Sequence, residues 1–596
     1  MDAQPGIRAV REPARAAVPS SPGAAPLALG PQRADLRTGL ARIARATPSW
    51  TWALSLYLLA AMALVGPKLL ANPATLCVCG GGSTDATIFM WSLAWWPHAL
   101  LHGANPFVTH AIWAPGSANV AAGTTIPAAA LALWPVTAAF GPVVSYNVLA
   151  TLSPALAAFT AYLLCRRLCG REGPALVGGL MFGFSSYELG QLLGHAHVAL
   201  VFLLPVVVHL AVRRIAGDLS ARRFVAALAL VLIVQALLSE EILFDAGLIG
   251  AAALLFAHRL AEPQLRPRIV AVAREGVTAA ALAAVVLAPY IVTVLAQAQV
   301  ARSGETYGLD ALNLIVPTPL TWLGGGLFHS LSGSFELGSQ LEAGGYIGLP
   351  LLLAFAAFSA GAWRRSRMSR LPALVFCLSV VLALGSSLHI AGVGGTPLPW
   401  SVLGLLPVFS DLVASRIVVF AELAVAVGVA LWLAQQTPGS RRRWLLVAVG
   451  CAALAPNLGG GLWHSRPPNP AFFRTAEYRR YLEPGENVLV IPFASLGYSM
   501  LWQAETNFYF SQPGGYISDV IPTAASHSYA VQLLLEPSRA TVTPSDAPAV
   551  ASFLRASHVH HVVLAPGYEQ RGWPRVLRLI AGAPRRVGGI LLYTVG

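Results

Sequence analysis

The chain has 596 residues, of which 56% are hydrophobic and only 11% charged. Soluble domains carry roughly 25% charged residues, so this chain cannot clothe its surface for water and must place apolar surface in lipid. The net charge of +13 does not point to nucleic acid, because the basic residues stand in short clusters between apolar runs, the footprint of membrane topology.

Residues 1–48, rich in Ala, Arg and Pro, read as a disordered cytoplasmic tail. The first apolar run, 50–70, has no small-residue cleavage site behind it and reads as a retained span. Further runs at 144–165, 174–189, 196–212, 222–238, 241–257, 276–298, 346–362, 371–388, 412–435 and 444–460 bring the expectation to about eleven membrane-spanning helices. The run 123–141 is a special case. If it does not cross, 25 of the 39 basic residues share one side, in the clusters 8–45, 166–171, 213–223, 259–274, 364–370 and 441–443. The opposite loops then hold only Lys68, Arg302 and Arg416. If it crossed, that bias would collapse. Pro127 and Pro135 also suit a broken helix, so 123–141 is expected to be re-entrant or surface-lying. This places the first loop, 71–143, the segment 299–345 and everything after 461 on the outer face.

The region 462–596 changes character. Strands are expected at 487–493, 558–564 and 588–594, and helical segments at 470–482, 546–556 and 572–581, which make a small α/β extracytoplasmic domain after a membrane domain at 49–461. None of the six cysteines falls in it. Cys77 and Cys79 are spaced too closely for an easy disulfide, and no second ligand pair follows to complete a metal site.

Asp85 is the only residue with a formal charge between Lys68 and Arg166. After the flexible stretch Gly80 to Thr84, its carboxylate can serve as a general base or as the N-cap of the following helix; the roles are compatible. That helix, 86–101, carries Trp91, Trp95 and Trp96 and is expected to lie in the membrane interface. His98 and His102 have metal spacing but no third ligand nearby. Glu240 and Glu241, with Asp245 a turn later, either cap a helix hairpin or bind acceptor, metal or protons. His195 and His197 read as a hydrogen-bonded interfacial pair. Arg416, one turn inside a span, needs an anionic partner, with Asp411, Glu422 and a lipid phosphate as candidates. His558, His560 and His561 are expected on one strand, with His558 and His560 on a common face.

The stretches Ser83-Thr84-Asp85-Ala86, Trp95-Trp96-Pro97-His98-Ala99-Leu100, Gly103-Ala104-Asn105-Pro106-Phe107 and Ala114-Pro115-Gly116-Ser117-Ala118-Asn119 resemble the large first outer loop of GT-C-type polytopic glycosyltransferases. Gly345-Tyr346-Ile347-Gly348 and Leu406-Pro407-Val408-Phe409 are similar to segments of their uncharacterised bacterial relatives. Leu501-Trp502-Gln503 and Gly514-Gly515-Tyr516 are similar to the outer domain of YfhO-like membrane proteins. The resemblance implies an enzyme of the bacterial inner membrane that moves a sugar from a polyprenyl-phosphate donor to an envelope glycan, lipid or protein on the outer face. It implies that Asp85 activates the acceptor, although many relatives carry two adjacent acids and Asp85 is followed by Ala86. Arg416 and Arg302 would hold the donor phosphate, with Glu240, Glu241, His195, His197 and Asn105 as further substrate-binding candidates. Membrane lipids are the expected surroundings. No metal ligands, cofactor or nucleic-acid partner are expected. The competing readings are a transporter or flippase of lipid-linked glycans, which needs charges near mid-membrane, and a non-catalytic envelope assembly factor that uses the α/β domain for binding.

Overall fold

The computed structural model describes residues 49–80, 84–296, 308–335, 340–406, 409, 412–435, 441–459, 461–518, 521–536, 542–568 and 572–596. Apolar composition and helix-compatible spacing make the part up to about 455 mostly helical. In chain order come α1 (Ser49–Ala71), α2 (Ala86–Leu101), α3 (Pro127–Ala132), α4 (Trp134–Phe140), α5 (Pro142–Cys169), α6 (Glu172–Gly183) and α7 (Ser186–Gln191). They are followed by α8 (Ala196–Ala199), α9 (Leu203–Ala216), α10 (Ala221–Ala236), α11 (Glu240–Leu260), α12 (Arg266–Val286) and α13 (Ala288–Ala296). Then come α14 (Leu349–Arg365), α15 (Leu371–Ala383), α16 (Val418–Ala434) and α17 (Arg442–Ala453).

Among the described residues, 6 helices are long and apolar enough to cross a membrane: Trp50–Ala71, Pro142–Cys169, Ala196–Ala216, Glu240–Leu260, Arg266–Val286 and Ala414–Ala434. The remaining apolar runs carry shorter helices, from 12 residues in α6 and α17 to 17 in α14. The run 123–141 is divided into α3 and α4, each opened by a proline in its first turn and neither long enough to span. Tight packing between α5 and α6 depends on small residues: a Cβ at Gly183 would collide with the backbone of Pro154 and Ala158.

The basic clusters gather at one end of these helices. Arg167 pairs with Asp218, Arg214 with Glu275 at 2.7 Å, and Arg268 Nη1 donates to the carbonyl of Ile215 at 3.1 Å, which ties three clusters together. In the 21-residue α11 the acidic pair Glu240 and Glu241 opens the helix, while His258 and Arg259 stand in its last turn. At 1.5 Å per residue the two ends stand about 30 Å apart.

Two short hairpins, β1 (Val108–Thr109) with β2 (Ala118–Asn119) and β3 (Ser387–Ile390) with β4 (Val393–Pro397), lie in loops. The C-terminal part forms a sheet of β5 (Val488–Ile491), β6 (His561–Leu564), β7 (Arg585–Val587) and β8 (Ile590–Thr594), in the order β5-β6-β8-β7. β5 and β6 are parallel and the other pairs antiparallel. β5 is buried on both faces, as its unbroken apolar run Val488-Leu-Val-Ile491 requires. Helices α18 (Ser499–Glu505), α19 (Ala547–Ala556) and α20 (Trp573–Ala581) accompany the sheet.

Three expectations are corrected here. First, the tryptophans of α2 do not face the membrane interface. Trp91 is 0% and Trp96 4% exposed: Trp91 packs against Phe508 just after α18, Trp96 against Phe107 of the first loop, and both belong to one core that runs from Cys77 to Tyr593. The indole of Trp91 donates to Gln503 Oε1 at 2.8 Å. Second, Cys77 and Cys79 are joined as a disulfide; their Cα atoms are 5.3 Å apart, within the span a disulfide needs. Third, His558 and His560 precede the strand, which starts at His561; His558 takes a positive φ, so the chain is still turning there.

Candidate functional site

Asp85 stands at the start of α2, but its side chain makes no capping bond to that helix. Its two oxygens are held from opposite directions. The Tyr516 hydroxyl donates to Oδ1 at 2.8 Å, and Oδ2 lies 3.4 Å from His195 Nε2. The Asp85 side chain keeps 27% of its surface exposed, so a small hydroxyl could reach it.

His195 occupies the turn between α7 and α8. Its Nδ1 lies 2.9 Å from Gln191 Oε1 and 3.1 Å from Glu342 Oε1. Both are acceptors, whereas the Arg416 Nη2 donor stands farther off at 3.5 Å, so the two shorter contacts assign a proton to Nδ1, and a proton on Nε2 as well would be shared with Asp85. Burial opposes the charge on His195, yet its hydrogen bonds to Asp85 and Glu342 prevail and raise its pKa above the ordinary histidine value.

Glu342 is buried. Burial alone would raise its pKa, but the Arg416 guanidinium and the His195 hydrogen bond hold it well below the usual carboxylate range. Arg416 Nη2 donates to Glu342 Oε1 at 2.6 Å and its Nε to the same oxygen at 3.1 Å, while Gln191 Nε2 and Ser415 Oγ donate to Oε2, each at 3.2 Å. On its other side Arg416 Nη1 donates to Glu241 Oε2. His197 Nε2 lies 4.0 Å from that same oxygen, with its ring stacked on Phe89. The result is a chain of ionisable groups from the partly exposed Asp85 through His195, Glu342 and Arg416 to Glu241.

The structure therefore brings together Asp85, His195, His197, Glu241 and Arg416 from separate parts of the sequence. It leaves others apart. Glu240 accepts from the Tyr290 hydroxyl at 2.5 Å. Asn105 caps its own exposed turn, its Oδ1 accepting from the Phe107 amide at 2.9 Å. Arg302 and Asp411 lie outside the described residues. Arg416 is not partnered by Glu422, which instead accepts from the Tyr187 amide at 3.3 Å. At 8% exposure and engaged by two carboxylates, Arg416 also has little surface to offer a lipid phosphate. Asp245, 1% exposed, has no hydrogen-bond partner for either oxygen among the described residues.

Sequence reasoning missed Glu342, Gln191 and Tyr516. Two of them sat beside readable signals: Glu342 three residues before Gly345-Tyr346-Ile347-Gly348, and Tyr516 within Gly514-Gly515-Tyr516. Among the described residues no group of three or more His, Cys, Asp or Glu is arranged to hold a metal ion. The two nitrogens of His195 point to different carboxylates, so Asp85 and Glu342 do not converge on one point.

Solved structures share this architecture. The arabinofuranosyltransferase AftD from Mycobacteria aligns with a TM-score of 0.55 at 15% identity, over 92% of this chain and 40% of AftD. A mutant form of AftD aligns with a TM-score of 0.57 at 16% identity, over 92% of this chain and 42% of that one. ArnT from Cupriavidus metallidurans bound to undecaprenyl phosphate aligns with a TM-score of 0.49 at 12% identity, over 92% and 98% of the two chains. The chain thus spans well under half of the AftD length. Its fold is that of the GT-C-type polytopic membrane glycosyltransferases. By sequence it belongs to the family described as a domain of unknown function, DUF6311, which matches residues 54–455. No curated protein matches it.

Proposed function

We propose that this chain is a membrane glycosyltransferase that moves a sugar from a polyprenyl-phosphate donor to a hydroxyl of an envelope glycan, lipid or protein, with Asp85 as general base. The observation that carries the reading is the clamp on Asp85. A carboxylate fixed at both oxygens, still partly exposed and backed by a buried charge network, is preoriented for proton abstraction. In the reaction the acceptor oxygen bonds to the anomeric carbon and the bond from that carbon to the phosphate oxygen breaks. The electron pair leaves with the polyprenyl phosphate, and Asp85 takes the acceptor proton. Arg416 acts indirectly here: it holds Glu342 and Glu241, and through Glu342 it holds His195. The reading calls on no cofactor.

The proposed setting is the bacterial inner membrane, crossed about eleven times, with the N-terminus cytoplasmic and residues 462–596 outside. Two observations support it: the positive-inside bias, and the position of the Asp85 network at the helix ends opposite the basic clusters. The C-terminal region would help to bind the acceptor.

The test compares the envelope sugars of the native host with those of a deletion strain complemented by the unaltered protein or by Asp85→Asn, at matched membrane levels. The expected result is loss of one sugar modification on deletion and no rescue by the variant. Full rescue by Asp85→Asn would remove Asp85 as the base.

A further inference from the structure

Tyr516 lies 431 positions along the chain from Asp85, yet its hydroxyl is a direct partner of that carboxylate. The segment that delivers it is bonded to the first loop on both sides. Before Tyr516, the Gln512 amide donates to the Ala111 carbonyl at 2.9 Å, the Ala114 amide to the Gln512 carbonyl at 3.1 Å, and the Trp113 amide to the Gly514 carbonyl at 3.2 Å. After it, the Thr124 amide donates to the Ile517 carbonyl at 2.6 Å. Between these anchors the fit leaves no slack: a Cβ at Gly515 would stand 2.7 Å from Ile112 Cβ, closer than real Cβ atoms come. A second strut holds the same face, because Gln503 donates to the carbonyls of Ala111 and Phe510 while accepting from Trp91.

From this geometry we infer that Tyr516 is a positioning residue for Asp85, so that the C-terminal region forms part of the reaction centre itself as well as a surface for the acceptor. The inference rests on the glycosyltransferase reading for its chemistry. A hydroxyl that donates to the ionised carboxylate favours that form and fixes which way Oδ1 faces. Together with His195 at Oδ2, it leaves Asp85 little rotational freedom before an acceptor arrives.

Tyr516→Phe keeps the ring and removes only the donor. Transfer is assayed in membranes of the deletion strain that carry each variant, supplied with a panel of radiolabelled polyprenyl-phosphate pentoses and hexoses. The expected result is a fall in kcat of about 10- to 100-fold, the scale of one hydrogen bond to a charged group, with KM for the donor unchanged. Without the donor Asp85 holds its proton more tightly, so the acidic limb of the pH profile moves to higher pH. Unchanged kcat with an unmoved limb overturns the inference even if Asp85→Asn is inactive, in which case the glycosyltransferase reading still stands. A second measurement needs no turnover: thermal unfolding in detergent of Tyr516→Phe, Asp85→Ala and the double variant. Coupled effects support the contact, and strictly additive ones overturn the inference whether or not any sugar is transferred.

Discussion

Two pairs of histidines look alike in the sequence and differ in the folded chain. His98 in the last turn of α2 and His102 just past its end lie one turn apart, and His195 and His197 flank the start of α8. His98 meets no carboxylate: its Nδ1 lies 3.1 Å from the neutral Asn507 side chain and its ring packs on Phe508 and His102; partial burial lowers its pKa, the Asn507 hydrogen bond only partly offsets this, and His102 lowers it further. His195 lies between two carboxylates, and its pKa is raised despite deeper burial. Burial penalises the charge in both cases, so the sign of the shift is decided by whether an acid from elsewhere in the chain arrives to oppose it. Spacing between histidines carries no information about that.

This contrast can be broken in three ways. The largest expected effect comes from Glu342→Ala, which leaves Arg416 and His195 without their shared buried partner. Removing one side of a buried ion pair costs about 3–5 kcal/mol, to be read as a lower unfolding midpoint in detergent. An unchanged midpoint would mean that the network is not formed as described.

The next effect is in pH dependence. Because the folded pKa of His195 is raised, its contribution to stability is complete below the unfolded value of about 6.5 and is lost as pH rises through the folded value. Glu342 has the opposite sense: its folded pKa is depressed, so its contribution is present above an unfolded value of about 4.3 and is lost as pH falls through the folded one. His195→Asn should therefore remove the loss of stability on the alkaline side and only reduce the one on the acid side, where Arg416 still holds Glu342. A titration of unfolding temperature across both windows, with the same alkaline slope in variant and parent, would refute the assignment.

The smallest effect belongs to His98→Asn, within about 0.5 kcal/mol, as for ordinary surface changes. Its direction is diagnostic. A lowered folded pKa means that stability falls as pH drops below about 6.5, opposite to His195, and the substitution should flatten that slight loss.

Much of the architecture was legible because it follows from local patterns. Apolar runs of helical length marked the six long apolar helices found among the described residues, while the other runs carry shorter ones, and the charge bias with Pro127 and Pro135 marked 123–141 as a broken segment, where the short helices α3 and α4 are found. The alternating and continuous apolar stretches gave β5, β6 and β8, but β7 was missed; at three residues, Arg585–Val587, it is too short to show a period. Trp91 and Trp96 were misplaced because an apolar aromatic face reads the same whether lipid or the protein's own core covers it.

By itself the sequence determined that the chain belongs in a membrane and that Asp85 is the isolated charge of its first loop, since composition and periodicity act through neighbours in the chain. The tertiary structure alone decided that Glu342 and Glu241 hold Arg416 and that His195 and Tyr516 hold Asp85. Coulombic and hydrogen-bond partners are chosen by distance in space, and most of these pairs are separated by a hundred residues or more, beyond the reach of any local pattern.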